Sequence, residues 1–203
     1  MKKRIKRIGI CAAAALVIWT GGLIRDRQIL HQELIRLHVV GASNSEEDQK
    51  IKLQVKDAVV ESLMSEMENL TDSEAAKGYL QEQLPKIESL VNCVLAETGC
   101  ADRASVSLGQ EEFPSRVYDT FRLPAGVYQS LRITIGEGQG RNWWCVAFPS
   151  LCLPATAEGF EVAASCAGFP DALTGALEGK EDYEIRFYFL DLLGQIGNLL
   201  RRE

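Results

Sequence analysis

The sequence predicts an α+β fold, in which an N-terminal signal or anchor helix precedes one domain with grouped helices and an antiparallel sheet. Three observations lead to this prediction. An uncharged apolar stretch follows a basic N-terminus, helical periodicity dominates residues 45–98, and the alternation typical of β-strands replaces it after Asp102. With 203 residues, the chain is long enough to bury a core as one domain.

The first element is a stretch of seventeen uncharged residues, Ile8 to Ile24, directly behind five basic side chains. A basic end before an apolar run is typical of an export signal, and it keeps the N-terminus in the cytoplasm. The modest length of the stretch and the Gly21-Gly22 pair leave two alternatives open for residues 1–27, a cleaved signal or a retained membrane anchor. In both cases we expect the chain after Ile24 to be extracytoplasmic.

A strand and three helices are predicted next. The strand, residues 33–40, alternates in character and ends at a turn that contains glycine. Cap residues, a proline at a first helical position and a terminal glycine give the helices as 45–68, 71–84 and 85–99. The first helix carries Glu46, Glu47 and Asp48 in its first turn, where negative charge complements the helix dipole.

The second half of the chain is predicted to supply the sheet. Alternation and turn residues give strands at 105–110, 117–123, 130–135 and 142–148. Residues 153–180 lack periodicity and are interpreted as a partly ordered connector. The C-terminal segment, 181–203, is expected to hold a short strand or irregular lead-in and then an amphipathic helix that packs on the domain. The extracytoplasmic domain itself is assigned to residues 28–152.

Charge narrows the range of partners. Without residues 1–27 the chain has 15 basic and 27 acidic side chains, which give a formal charge of −12. Nucleic acid and anionic lipid headgroups repel such a domain, so we expect no nucleic-acid partner. Contact with the membrane is expected through the N-terminal segment.

The cysteines outside the apolar stretch are odd in number, five in all, so at least one is free or pairs with another chain. Cys93 with Cys100 and Cys145 with Cys152 are each seven positions apart, and either pair can be a disulfide or two buried thiols. No CxxC pattern occurs, and neither histidine lies near a cysteine pair in sequence. A zinc site is therefore not expected.

No catalytic residue and no cofactor are predicted either. The chain has two histidines, His31 and His38, and it contains no GxSxG or HExxH pattern. The alternative that stays open is an exported enzyme. It would be a cell-wall hydrolase built on a carboxylate pair, or a thiol-dependent catalyst that uses Cys145 with His38.

Two blocks of the sequence carry a specific pattern. Residues 36–59 read RLHVVGASNSEEDQKIKLQVKDAV, and residues 113–152 end in GEGQGRNWWCVAFPSLC. Together they resemble the stage II sporulation protein R family of endospore-forming bacteria. The resemblance implies a signalling protein that is made in the forespore and exported into the space between forespore and mother cell. There it would activate a membrane-embedded aspartic protease of the mother cell, which processes the sigma-E precursor.

The matched blocks also contain the candidate site residues, which are chosen by their chemistry. The resemblance favours the Cys145–Cys152 pair as the disulfide. Adjacent tryptophans on a strand face opposite sides, so one of them can fill the core while the other meets a partner. Within the matched blocks we expect partner contacts from seven residues: Arg36, His38, Arg116, Tyr118, Asn142, Trp143 and Trp144.

Overall fold

The structure, a computed structural model, describes residues 2–67, 69–70, 72–149 and 157–201. Within these ranges the helices are α1 (Lys2–Glu33), α2 (Glu46–Met67), α3 (Ser73–Glu97), α4 (Ala157–Cys166), α5 (Asp171–Glu178) and α6 (Glu184–Arg201). The strands are β1 (Ile35–Val40), β2 (Ala104–Phe113), β3 (Arg116–Val117), β4 (Arg122–Leu123), β5 (Gly126–Ile135) and β6 (Asn142–Phe148). The predicted α+β class is confirmed.

Four of the strands form one sheet in the order β2-β5-β1-β6. The pairs β2–β5 and β1–β6 are antiparallel, whereas β1 and β5 are parallel. The sheet is therefore mixed and not entirely antiparallel as predicted. A parallel pair needs a long crossover connection, and α2 and α3 lie in the chain between β1 and β5.

One core lies between the sheet and the pair α2 and α3. Because side chains alternate along a strand, every second residue of β1, β5 and β6 points to this side. The buried strand residues include Leu37, Val39, Leu131, Ile133 and Cys145, and the helices add Val55, Val59, Leu80, Val91 and Leu95. The burial of these apolar side chains is the main force that holds α2 and α3 on the sheet.

A second core lies on the opposite face of the sheet. It contains Phe113 and Tyr128 from the strands, and α1, α4, α5 and α6 cover it with Leu23, Leu30, Phe160, Leu173, Leu177 and Leu190. The C-terminal part of α1 is thus an integral part of the domain, while its apolar N-terminal part is exposed. The helix is long and apolar enough to cross a membrane over Lys6–Glu33, which is compatible with a signal or an anchor.

The predicted helix bounds around Pro85 are wrong. The second and third predicted helices form the single helix α3, and Pro85 lies inside it. Proline removes one backbone donor, but Leu80 before it and Ile87 after it are buried in the same core, so packing keeps the helix continuous. The observed N-cap is Asp72, whose carboxylate accepts a hydrogen bond from the backbone of Ala75. Thr71, the predicted cap, lies outside the described residues.

The strand predicted at 117–123 is also wrong, because the chain turns back within it. The two-residue strands β3 and β4 pair with each other in a small antiparallel hairpin. Tyr118 and Phe121 stack in the turn with 4.6 Å between ring centroids, and Phe121 stacks on Phe160 of α4 at 4.8 Å. The contact between Phe121 and Phe160 joins distant parts of the chain, and alternation alone does not reveal it.

The interpretation of 153–180 as a connector differs from the structure, which has helices at 157–166 and 171–178. The many small residues in these two helices weaken the helical periodicity of the apolar positions. Phe160, Leu173 and Leu177 are nevertheless buried. Of the two alternatives for the lead-in of the tail, the structure has the irregular one, a 3₁₀ turn at Glu181–Tyr183, and α6 follows at once. The predicted C-terminal helix is confirmed.

The glycine-rich loop before β6 is locked onto the turn after β1. Gly140 donates a backbone hydrogen bond to the carbonyl of Gly41 (2.8 Å), and the backbone of Arg141 donates to the side chain of Asn44 (2.9 Å). The approach is so close that a Cβ on Gly140 would lie 2.7 Å from the Gly41 carbonyl oxygen and would overlap that of Ser43. The two sequence blocks therefore meet in one interlocked pair of turns, which fixes the start of β6.

Replacing Gly140 with alanine should destabilise the fold, because backbone atoms on the facing turn cannot move aside cheaply. We expect Gly140→Ala to lower the free energy of unfolding by about 2 kcal/mol or more, and the melting temperature by several degrees. Gly109→Ala in β2 is the matched control, since a Cβ there meets nothing within 4 Å. Thermal unfolding of the detergent-solubilised chain measures both, and an unchanged midpoint for Gly140→Ala would contradict the interlock.

Candidate functional site

A cavity of about 740 Å³ opens on the sheet face opposite α2 and α3. We call it the His38 cavity. Its floor is formed by five strand residues, His38, Glu111, Arg132, Asn142 and Trp144. One wall is formed by α6 through Gln195, Asn198 and Leu199. Helix α6 can approach the sheet because Gly194 presses directly against the backbone of Ala125, where a Cβ would overlap the carbonyl.

A chain of polar side chains crosses the floor and takes one residue from each of the four strands. Arg132 of β5 donates to Glu111 of β2 at 2.6 Å, and Glu111 accepts from Nδ1 of His38 on β1 at 3.2 Å. The other ring nitrogen of His38 lies 2.9 Å from Oδ1 of Asn142 on β6. Each of these side chains is hydrogen-bonded to at least one other member of the chain. The floor therefore has its geometry before a partner binds.

The carboxylate of Glu111 is the electrostatic centre of this chain. Burial alone would raise its pKa, but the hydrogen bond from His38, the charge of His38 and the hydrogen bond from Arg132 lower the pKa from 4.5 to about 2. Glu111 is therefore ionised at every physiological pH. Its negative charge fixes the orientation of both basic neighbours.

Trp144 forms the aromatic part of the floor. The guanidinium of Arg116 lies over its indole ring, 3.8 Å from the centroid, and the His38 ring stacks on it at 5.6 Å. Three buried polar atoms around it have no hydrogen-bond partner: Nε1 of Trp144, Nε of Arg116 and Oδ1 of Asn198. Buried polar atoms are normally paired. Trp144 and Asn198 line the cavity, which therefore has one unpaired donor and one unpaired acceptor, whereas Arg116 packs on Trp144 outside the lining.

Arg36 and Tyr118 lie beneath the cavity rather than on its surface. Arg36 is fully buried, donates to the carbonyl of Cys145 (3.0 Å) and to the hydroxyl of Tyr118 (2.7 Å), and has its guanidinium over the ring of Phe113 at 4.4 Å. Tyr118 in turn lies 3.4 Å from the Trp144 carbonyl, to which its hydroxyl donates. Both residues support the floor, and the burial of Arg36 argues against its predicted contact with a partner.

Trp143 and Cys145 belong to the other face of the sheet. Trp143 packs against the α2 and α3 core, and the ammonium of Lys56 lies 5.2 Å from its ring centroid. Cys145 is buried in the same core, whereas His38 faces the cavity. The structure does not bring Cys145 and His38 together as the thiol-catalyst alternative would require, because the sheet separates the two side chains. Cys152 lies outside the described residues, so the Cys145–Cys152 disulfide stays a prediction.

The predicted partner residues thus separate into two groups. The structure brings His38, Asn142 and Trp144 together at the cavity, with Arg116 stacked behind Trp144. Arg36, Tyr118 and Trp143 lie in supporting positions. Among the residues that the structure describes, no three His, Cys, Asp or Glu side chains gather as a metal site requires.

Comparison with known proteins gives a family assignment. A sequence profile of the stage II sporulation protein R family matches residues 31–158, more than half of the chain. The chain belongs to the stage II sporulation protein R family. Stage II sporulation protein R of Bacillus subtilis (strain 168) is 33% identical over 124 residues, which cover 61% of this chain and 55% of that protein. The chain therefore spans about half the length of the curated relative it matches. No solved structure is significantly similar.

The stretch that matches the family contains every strand of the sheet, and thus the whole floor of the His38 cavity. Helix α6, which forms one wall, lies outside it. Sequence reasoning missed Glu111, Arg132 and the α6 residues as parts of the site. A usable signal for Glu111 was its position two residues before Phe113 on one strand, which places an acid on the same face as a buried aromatic ring.

The lowered pKa of Glu111 predicts a specific dependence of stability on pH. Because the folded state holds the ionised form, this contribution is complete above about pH 4.5 and is lost as the pH falls towards 2. Glu111→Gln should cost about 1–2 kcal/mol at pH 7, less than the full linkage value because solvent screens the partly exposed pair.

Melting temperatures at pH 7, 5 and 3 test this expectation. The difference between the original chain and Glu111→Gln should shrink from pH 5 to pH 3. Glu82→Gln, which changes an exposed carboxylate on α3, is the control and should show no such trend. A difference for Glu111→Gln that is independent of pH would contradict the assigned electrostatic role.

Proposed function

We propose that this chain is an exported sporulation signal that binds the extracytoplasmic side of a membrane-embedded aspartic protease and thereby promotes processing of the sigma-E precursor. Family membership supports the role in sporulation. The apolar helix α1 supports export, because a signal or an anchor has this length and composition. The protease as partner follows from the resemblance of the two sequence blocks.

The observation that carries the proposal is the convergence of both blocks on one rigid cavity. His38 comes from the first block, and Asn142 and Trp144 come from the second. The interlocked turns and the polar chain hold these side chains in place, so little conformational entropy is lost when a partner binds. Preorganisation of this kind suits recognition.

The chemistry of the cavity favours a peptide segment as the bound group. Its volume lies within the range of about 300–1,000 Å³ that is usual for ligand sites. The unpaired N–H of Trp144 can donate to a peptide carbonyl, and Oδ1 of Asn198 can accept from a peptide N–H. We therefore propose that an extracytoplasmic loop of the protease enters the His38 cavity.

Binding activates the protease only if the chain binds the active form more tightly than the inactive one. The cavity meets this condition if the extracytoplasmic loop of the protease can enter it only when the protease is in its active form. The signal then acts by stabilising one state and needs no chemistry of its own.

Arg116 offers a test, because its guanidinium packs on the ring of Trp144 and supports that ring at the cavity floor. Arg116→Ala should lower processing of the sigma-E precursor about tenfold or more, because Trp144 loses the contact that orients it and a well-placed tryptophan typically contributes more than about 1 kcal/mol to an interface. The assay uses a host that co-expresses the full chain, the protease and the precursor, with immunoblots of the cleaved product. Arg103→Ala removes an exposed arginine elsewhere and is the matched control.

Both variants must first show the melting temperature of the original chain. Equal processing by Arg116→Ala and Arg103→Ala would contradict the cavity as the binding site. Normal processing in a strain that lacks this chain would contradict the proposed function itself.

His38→Gln distinguishes recognition from catalysis. Among the residues described, the polar chain holds no nucleophile beside His38, and the ring nitrogen that faces away from Glu111 is engaged by Asn142. Glutamine keeps hydrogen-bonding capacity, so we expect processing within about tenfold of normal. Loss of an acid–base group would instead cost about 10²–10⁴-fold, and a loss of that size would favour the exported enzyme.

A further inference from the structure

Helix α6 exposes a continuous apolar stripe. Its members are Ile185, Tyr188, Leu192, Ile196 and Leu199, spaced three or four residues apart and therefore on one side of the helix. Leu190 and Gly194 on the opposite side are buried against the domain. The stripe contains no charged residue, and a soluble domain rarely leaves such an apolar surface exposed without a use.

The stripe lies next to the helix that carries the predicted membrane segment. Trp19 of α1 packs edge-on against Phe189 of α6 with 4.9 Å between ring centroids. About two helical turns further along α1, the buried carboxylate of Asp26 pairs with Arg186 at 2.6 Å. Helix α6 is thus fastened beside the point at which α1 leaves the domain.

The length of the free part of α1 indicates how deep the domain must sit. Leu23 is already buried in the second core, so the apolar stretch available to lipid is Ile8–Gly22, fifteen residues. At about 1.5 Å per residue it spans about 22 Å. The hydrocarbon core of a bilayer is about 30 Å thick. A spanning α1 therefore draws the adjoining face of the domain into the membrane interface.

We propose that the exposed stripe of α6 lies in the bilayer interface beside α1, and that lipid covers it. The inference rests on the export role in the proposed function, with α1 retained as a membrane anchor rather than cleaved, and it is independent of the protease. Tyr188, which is 63% exposed, has the amphipathic character that suits the headgroup level. An interfacial helix is defined by such an apolar face beside a polar one.

Charge is consistent with this orientation. The domain as a whole is strongly acidic, but Thr20–Glu33 and α6 together carry four arginines and four carboxylates. This face is therefore neutral, and headgroups do not repel it as they repel the rest of the domain. The acidic surfaces then point away from the membrane.

The orientation also places the His38 cavity. Leu199 belongs both to the stripe and to the cavity wall, and Asn198 next to it is part of the same wall. The cavity consequently opens close to the membrane surface. A short extracytoplasmic loop of a membrane-embedded partner can reach it there.

Photo-crosslinking of the full chain tests the inference. The chain is reconstituted in phosphatidylcholine nanodiscs with Tyr188→p-benzoylphenylalanine, an aromatic replacement that the exposed position tolerates. After irradiation, mass spectrometry should find an adduct with the mass of one lipid. The control position is Val117 in β3, which is 81% exposed and lies outside α1 and α6. We expect at least about tenfold less lipid adduct there, since benzophenone reacts only with groups in contact.

A second position, Val17→p-benzoylphenylalanine, reports whether α1 is inserted. A lipid adduct at position 17 together with none above the control at position 188 would overturn the inference. An adduct at position 188 to another protein chain would also overturn it, because a second copy would then cover the stripe. Absence of a lipid adduct at position 17 would remove the anchor on which the inference rests. No protease is present, so none of these results bears on recognition by the protease.

Discussion

The structure depends on the central position of β1, which is buried along its whole length and hydrogen-bonded on both sides. A central strand must satisfy two different environments at once, since its side chains alternate. Leu37 and Val39 enter an apolar core beneath two helices, while Arg36 and His38 face the other side. The partner strands β5 and β6 are fixed by β1, and the residues that line the cavity are fixed in turn.

The second face is unusual because it buries a guanidinium among aromatic rings. Within the described part of the chain, Arg36 forms no ion pair with a carboxylate; a backbone carbonyl, a tyrosine hydroxyl and the faces of Phe113 and Tyr128 surround it. Desolvation of a charge is costly, and cation–π contacts and hydrogen bonds offset part of that cost. These contacts fix the orientation of the guanidinium. Through its hydrogen bond to Tyr118, Arg36 also holds the β3–β4 hairpin against the sheet.

The sequence was sufficient to predict the fold class and most of the elements that have a clear hydrophobic periodicity or a helix-capping residue. The helix α2, for example, begins where Ser45 accepts a hydrogen bond from the backbone of Asp48. Features that depend on distant contacts were out of reach. The parallel pairing of β1 with β5, the continuity of α3 through Pro85 and the burial of Arg36 each follow from packing between segments far apart in the chain. Propensity and alternation do not contain that information.

The same limit applies to the candidate site. The matched blocks pointed to His38, Asn142 and Trp144, but the acid that orients His38, Glu111, lies outside both blocks. Register decides which side chains meet, and register is a property of the assembled sheet. The wall that α6 provides was equally hidden, because its approach depends on a glycine facing the backbone of another element.

The continuity of α1 from its apolar end into the domain has a consequence for maturation. A signal peptidase acts on an extended, accessible backbone, whereas the residues just after Gly22 are helical, and Leu23 and Asp26 are enclosed once the C-terminal helix has docked. If a signal peptidase cleaves the leader, cleavage would therefore have to precede the docking of α6. A chain that docks α6 first would keep its anchor, and a chain that is cut first would be released.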